Sequence, residues 1–318
     1  MNDLQALSRK GRGRNNERFD MLDKPIGIIG LGLMGAAFAQ RIAAAGFGVV
    51  GYDVDAAKTA RMGAGPPDGL GGTPATSIAA LARACDPILI AVFSTGQVED
   101  VVENGLLPAL GEHSNAIVLV ASTCDPDRIA KLAARVAPRG LRFLETPVSG
   151  TSAQVARGEG VGLIGGDAAI ASEIEPVLRA LFPKYFMIGK VGDGGRAKLA
   201  VNLILGLNRL ALAEGLVFAE RLGLDPAAFL DVARGSAAYS QIMDVKGARM
   251  VRSDFVPEGR ARQTLKDVGL MLDQARALGQ ALPLLAVHAE VLQACLRHGE
   301  GELDNAVVIE EIRRRRTE

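Results

Sequence analysis

From Pro25 to about Ile188, short apolar runs alternate with Ala-rich stretches of helical periodicity, the pattern of repeated βαβ units around a parallel sheet. The expected strands are Ile26–Ile29, Gly48–Tyr52, Ile88–Phe93, Ile117–Ala121, Arg142–Glu145, Val161–Ile164 and Tyr185–Ile188. Past Gly195 the strand pattern stops. Helical stretches follow, broken at Gly223–Pro226, Ser253–Gly259, Gly279–Pro283 and Gly299–Gly301, so the second half reads as all α-helical. The apolar segment Ala197–Leu222 would span roughly 40 Å as a helix and is expected to join the two halves. Gly63–Pro74, rich in Gly and Pro, reads as a loop, and no internal repeat is visible.

The first expected strand runs directly into Gly30-Leu31-Gly32-Leu33-Met34-Gly35, and the helix-forming Ala36–Ala45 follows. In that context each glycine has a task. Gly30 permits a tight turn, Gly32 lets the backbone approach a pyrophosphate, and Gly35 lets helix and strand pack closely, while the helix N-terminus receives the phosphates. Leu31, Leu33 and Met34 complete the turn around the dinucleotide. Asp53 ends the second strand, about where a carboxylate should meet the ribose diol, which favours NAD over NADP; capping of the next helix is its bland alternative. Phe93, Ser94 and Thr123 follow the third and fourth strands and are placed beside the cofactor. The expected fold is α/β, a Rossmann-type doubly wound parallel sheet followed by an all-α C-terminal domain joined by a long interdomain helix. The expected division is a disordered leader over 1–23, a cofactor domain over 24–190, and a helical substrate and oligomerisation domain over 191–318.

Thirty-six basic residues balance thirty-six acidic ones in 318, so no overall field exists to hold nucleic acid or an anionic membrane surface. A small molecule is the expected partner. Three cysteines, Cys85, Cys124 and Cys295, are too scattered for a disulfide framework, and the three histidines lack zinc-site spacing, so no metal is expected. Residues 1–23 mix Arg12, Arg14 and Arg18 with Asp3, Glu17, Asp20 and Asp23 and lack the apolar core of a secretory signal. With no apolar run of roughly 18 or more residues to cross a bilayer, a cytoplasmic protein is expected. The run Arg313–Arg316 reads as the solvated end of a helix.

Two further motifs carry chemistry. Glu145-Thr146-Pro147-Val148-Ser149-Gly150-Thr151 follows the fifth strand, and Gly192-Asp193-Gly194-Gly195-Arg196-Ala197-Lys198-Leu199-Ala200-Val201-Asn202 opens the long helix. Lys198 and Asn202, four apart, share a helix face. A fourth motif, Lys266-Asp267 with Leu270, follows later. With the glycine turn, these four resemble, in order and spacing, the β-hydroxyacid dehydrogenase family over about residues 25–310. The family patterns are D-x-P-V-S-G-G, G-x-G-x-x-x-K-x-x-x-N and K-D-x-x-L-A; Glu145 here stands for the usual Asp and Thr151 for the second glycine.

The resemblance implies hydride transfer between NAD and a small 3-hydroxy carboxylic acid or its semialdehyde. Lys198 would be the general acid/base and Asn202 would position it and the substrate oxygen. Oxidising an alcohol requires loss of the hydroxyl proton as hydride leaves carbon, and burial beside the oxidised nicotinamide would lower the pKa of a lysine enough to accept it. Ser122, Ser149, Gly150 and Thr151 are implied for the substrate carboxylate, Ser240 for the substrate, and Lys266 for the cofactor. A homodimer or homotetramer is implied as well. Two other readings share the architecture: an imine reductase-like enzyme, against which Lys198 counts, and a non-catalytic nicotinamide-dinucleotide-binding module, which leaves Lys198 and Asn202 without a task.

Overall fold

Buried apolar runs and short turns build a nine-stranded sheet in the computed structural model, which describes residues 24–65, 69–111 and 114–316. The expected leader lies outside the described residues. The strands are β1 (Ile26–Ile29), β2 (Val49–Tyr52), β3 (Thr73–Pro74), β4 (Ile88–Ile90), β5 (Ile117–Val120), β6 (Arg142–Glu145), β7 (Val148–Ser149), β8 (Val161–Gly166) and β9 (Lys184–Gly189). Six of them pair in parallel in the order β3-β2-β1-β4-β5-β6. The order reverses between β1 and β4, which opens a crevice at their carboxyl ends where such sheets hold ligands.

The sheet is predominantly parallel, as expected, with an antiparallel strand near its far edge. β8 runs antiparallel to both β6 and β7, and β9 is parallel to β8. A parallel return to the sheet takes a crossover of about a dozen residues or more, usually with a full helix. Between β7 and β8 the chain has only the five-residue helix Ser152–Ala156 and its flanking turns, so it doubles back. The tip of Gly63–Pro74, read as loop, supplies β3, and β4 ends at Ile90, three residues short of its expected end.

Successive strand residues point to opposite faces, and each face carries its own core. Ile26, Ile28, Leu89, Ile117 and Leu119 pack beneath α1 (Leu33–Ala44), where Phe38 meets Phe182 edge-on at 5.7 Å. Ile29, Ile88, Ile90, Val118 and Val120 face the other way, onto Leu81, Val98 and Leu132. A third core fills the helical half, centred on Leu212, Ala213 and Leu216 of one 29-residue helix, Asp193–Arg221.

That helix, α2, starts four residues before the expected Ala197. By length and apolar composition it would pass for a bilayer-spanning helix, which corrects the expectation that no such run is present. Here it packs against β8 and the helices α3 (Ala261–Ala277), α4 (Pro283–Arg297) and α5 (Val308–Arg314). Its amino end is pressed onto the sheet: a Cβ at Gly194 would lie 2.7 Å from the Leu163 carbonyl oxygen. The run Arg313–Arg316 ends α5 with Arg314, Arg315 and Arg316 exposed, and it also supplies ion pairs, among them Arg313 to Glu220 at 2.5 Å and Arg315 to Glu311 at 3.1 Å.

The glycine turn is the tightest point of the sheet domain. Gly30 has a φ of +94°, and a Cβ on Gly35 would sit 1.8 Å from the Gly30 carbonyl oxygen. Because that neighbour is backbone, it cannot rotate away. Gly35→Ala is therefore expected to cost about 3 kcal/mol of stability, seen as a lower urea midpoint; an unchanged midpoint would contradict this packing.

Candidate active site

A cavity of about 410 Å³ opens between the carboxyl ends of the strands and the helical half. Its sheet side includes Gly32, Leu33, Met34, Phe93, Ser122, Thr123, Ser149, Gly150 and Thr151; α2 contributes Lys198, Asn202, Leu205 and Arg209. These four lie at spacings of four, three and four, one face of a helix.

The local sequence explains how α2 is aimed. Glu145, at the end of β6, is 3% exposed and accepts the backbone N–H groups of Gly192 and Gly195 at the amino end of the helix. Burial pushes its carboxyl up to about 7, against the lowering effect of those two N–H groups. A Cβ on Gly195 would come within 2.9 Å of the Glu145 carboxylate. Glycine in this motif thus lets the helix terminus and the acid meet, and the meeting fixes where Lys198 emerges one turn later. Arg196 pins the same end to the neighbouring helix through Asp127 at 2.5 Å.

Lys198 is 7% exposed and makes no hydrogen bond or ion pair with the described residues. Desolvation by burial pushes its ammonium down to about 8; Asp267 opposes that effect and Lys266 adds to it. Asn202 donates to Asp267 Oδ2 at 3.3 Å, and the other oxygen of Asp267 lies 2.8 Å from Lys266 Nζ. Asp267 was not singled out from the sequence, although the Lys266-Asp267 motif contains it. It faces the cavity and orients Asn202 beside Lys198.

The glycine turn fits a dinucleotide pyrophosphate. Gly32 caps α1 with no side-chain hydrogen bond, no acid lies in the first turn, and a Cβ on Gly32 would touch nothing within 4 Å. The result is an open cradle of unfilled N–H donors, with Gly30 and Gly35 spent on close packing behind it. Leu31 and Asp53 lie behind the cavity wall: Leu31 donates its N–H to Asp53 Oδ2 at 2.7 Å, and Asp53 Oδ1 accepts from Asp55 N at 2.9 Å. Asp53 thereby ties the turn to β2. Lys58 Nζ stands 3.7 Å from the same carboxylate.

Several expected site residues have other engagements. Ser122 Oγ donates to Val92 O at 2.8 Å and accepts from Val92 N at 2.9 Å, so its proton joins the ends of two strands. The N–H of Thr151 goes to Gln154 Oε1 at 2.9 Å in a capping box, in which Thr151 Oγ1 accepts from Gln154 N; Ser149, Gly150 and the Thr151 hydroxyl remain at the cavity. Ser94 caps a helix through Gln97 N and does not line the cavity, nor does Ser240, whose neighbours Gln241 and Ile242 do. Lys266 Nζ donates to Thr123 O at 2.6 Å, bridging the two halves, and lies 5.8 Å from the centre of the Phe93 ring. Cys124 is buried, which pushes its thiol up to about 12 and removes it from chemistry at neutral pH. Among the described residues no group of acids, histidines and cysteines could hold a metal.

A phosphate-binding turn facing a buried lysine across a cavity defines a nicotinamide-dependent oxidoreductase. Residues 25–189 match the NAD binding domain of 6-phosphogluconate dehydrogenase, and residues 192–312 match the NAD-binding domain of NADP-dependent 3-hydroxyisobutyrate dehydrogenase. The chain is 32% identical to L-threonate dehydrogenase of Cupriavidus necator, over 91% of its own length and 96% of that protein. It is 30% identical to 2-hydroxy-3-oxopropionate reductase of Escherichia coli, over 90% and 96%. A crystal structure of 3-hydroxyisobutyrate dehydrogenase from Salmonella typhimurium superposes with a TM-score of 0.81 at 28% identity, covering 91% of this chain and 99% of that one. The chain belongs to the β-hydroxyacid dehydrogenase family and is an NAD(P)-dependent dehydrogenase acting on CH–OH groups.

The depressed lysine can be measured directly. NMR of labelled lysine side chains should show one ammonium titrating near 8, absent in Lys198→Met; a midpoint for Lys198 at the ordinary 10.5 would contradict the burial described.

Proposed function

We propose that the chain moves a hydride between NAD and a small 3-hydroxy carboxylic acid or its semialdehyde, with Lys198 carrying the proton. One observation supports this above the others: a buried ammonium with no anion bound to it, held near neutral pKa, faces the same cavity as the glycine turn. The nicotinamide, when bound, accepts the hydride from carbon or returns it. As hydride leaves the hydroxyl-bearing carbon, the hydroxyl proton passes to the neutral amine of Lys198, and the C–O bond becomes C=O. In reduction the ammonium of Lys198 returns that proton to the carbonyl oxygen. Asn202, held by Asp267, orients the reacting oxygen, and Ser149 with Gly150 receives the substrate carboxylate. The relatives named above are named for small hydroxy or oxo carboxylic acids, which agrees with this substrate class. Imine reductases usually lack a lysine at the position of Lys198, which counts against that reading, and a silent binding module gives Lys198 no role.

NAD is preferred in this reading because the Asp53 carboxylate, just after β2, would hydrogen-bond a ribose diol brought beside the glycine turn and repel a 2′-phosphate there. With one hydroxy acid, kcat/KM should be higher with NAD than with NADP; the reverse order would show that Lys58 governs the site instead. Lys198→Ala should lower kcat by about 10²–10⁴-fold while NAD binding, followed by fluorescence or calorimetry, survives. Turnover near that of the unmodified protein would overturn the role of Lys198.

A further inference from the structure

Arg209 is the fourth cavity-lining residue of the α2 stripe and the one the reaction does not use. It is 5% exposed, and its Nε and Nη1 are buried without a hydrogen-bond partner among the described residues. Beside it sits His288 of α4, 1% exposed, with neither ring nitrogen hydrogen-bonded. The absence of a side chain at Gly206 admits the imidazole, since a Cβ there would lie 2.7 Å from its Cε1. Burial, reinforced by Arg209, pushes the imidazole down to about 4, so it stays neutral.

Among the described residues no carboxylate pairs with Arg209. Asp304, the acid whose charge it feels, is fully buried and already committed. It pairs with Lys246 Nζ at 2.9 Å and accepts from the N–H groups of Glu258, Gly259 and Ala306. Lys246 and Arg249 together face Asp304, Glu258 and, through Arg249, Asp254, two cations against three carboxylates. Each of those acids already has a cationic partner of its own, and Arg209 stands on the cavity wall with no anion bound to its buried Nε and Nη1. Leaving a buried guanidinium so is costly unless something anionic arrives.

We propose that Arg209, with His288 beside it, forms a subsite for a second carboxylate of the substrate, so that the preferred hydroxy acid is a dicarboxylate. This rests on the hydroxyacid reading above. One positive charge in a planar fork matches one carboxylate. Eleven residues separate Lys198 from Arg209, about 16 Å along the helix axis, and both side chains lean toward the helix amino end. The second carboxylate is therefore carried several carbons beyond the hydroxyl, while the first stays at Ser149 and Gly150.

The test compares two acids of one shape, 3-hydroxysebacate and 3-hydroxydecanoate, which differ in a terminal carboxylate or methyl and are long enough to reach from Lys198 to Arg209. The protein should favour the dicarboxylate by about 10²–10³-fold in kcat/KM, and Arg209→Met should erase the preference while leaving the monocarboxylate within a few-fold. Equal use of the two acids by the unmodified protein, or an equal loss on both in the variant, overturns the proposal. A second arm needs no turnover: with NAD present, sebacate should raise the melting temperature of the unmodified protein and not of Arg209→Met, and decanoate should raise neither. If neither hydroxy acid turns over yet sebacate stabilises through Arg209, the subsite stands and the hydroxyacid reading fails. If 3-hydroxydecanoate is oxidised and sebacate does not bind, the hydroxyacid reading stands and the subsite falls. Should Arg209→Met fail to fold, the comparison of the two acids on the unmodified protein decides.

Discussion

A lysine kept out of water without an anion to pair with is the constraint around which this molecule is arranged. Its charged form is penalised by desolvation, and the depressed pKa is the measure of that penalty. Such a group persists only where the surrounding structure leaves it no choice. Here the choice is removed by α2, whose amino end is fixed to the sheet by Glu145, Gly194 and Gly195, and whose middle forms the core of the helical half. The helix cannot rotate to expose Lys198 without unpacking Leu212, Ala213 and Leu216.

The electrostatics of the cavity follow the same logic. Asp267 stands near enough to moderate the lysine, yet its oxygens are occupied by Lys266 and Asn202. Full pairing of Lys198 with Asp267 would hold the ammonium charged and spoil it as a base. The bond from Lys266 to Thr123 O joins the helical half to the sheet at the cavity edge, so one motif both tempers the lysine and closes the site around it. Lower in the cavity the pairing of Lys246 and Arg249 with Asp304 and Glu258 is complete, and the contrast makes Arg209 conspicuous.

Much of this could be read from the chain. Strand positions, the glycine turn and the start of the helical half were visible because buried strands and amphipathic helices have distinct periods. The direction of β8 was not, because pairing sense depends on the length of a connection whose short helix carries no strong pattern. At the site, Lys198 and Asn202 were legible from helical spacing, and continuing that spacing would have reached Leu205 and Arg209. Asp267, Glu145 and His288 were harder to assign, since their tasks depend on contacts between segments far apart in sequence. Ser122 lines the cavity as its residue type suggests, while the bond from its hydroxyl to Val92 O is visible only in the structure.

The pH dependence of hydroxy-acid oxidation tests the central claim most directly. If the amine of Lys198 must be neutral to take the proton, kcat/KM should fall with the neutral fraction below about 8 and level off above it, and the limb should vanish from the residual activity of Lys198→Ala. A profile flat through that range, or a limb that survives the substitution, would contradict the account.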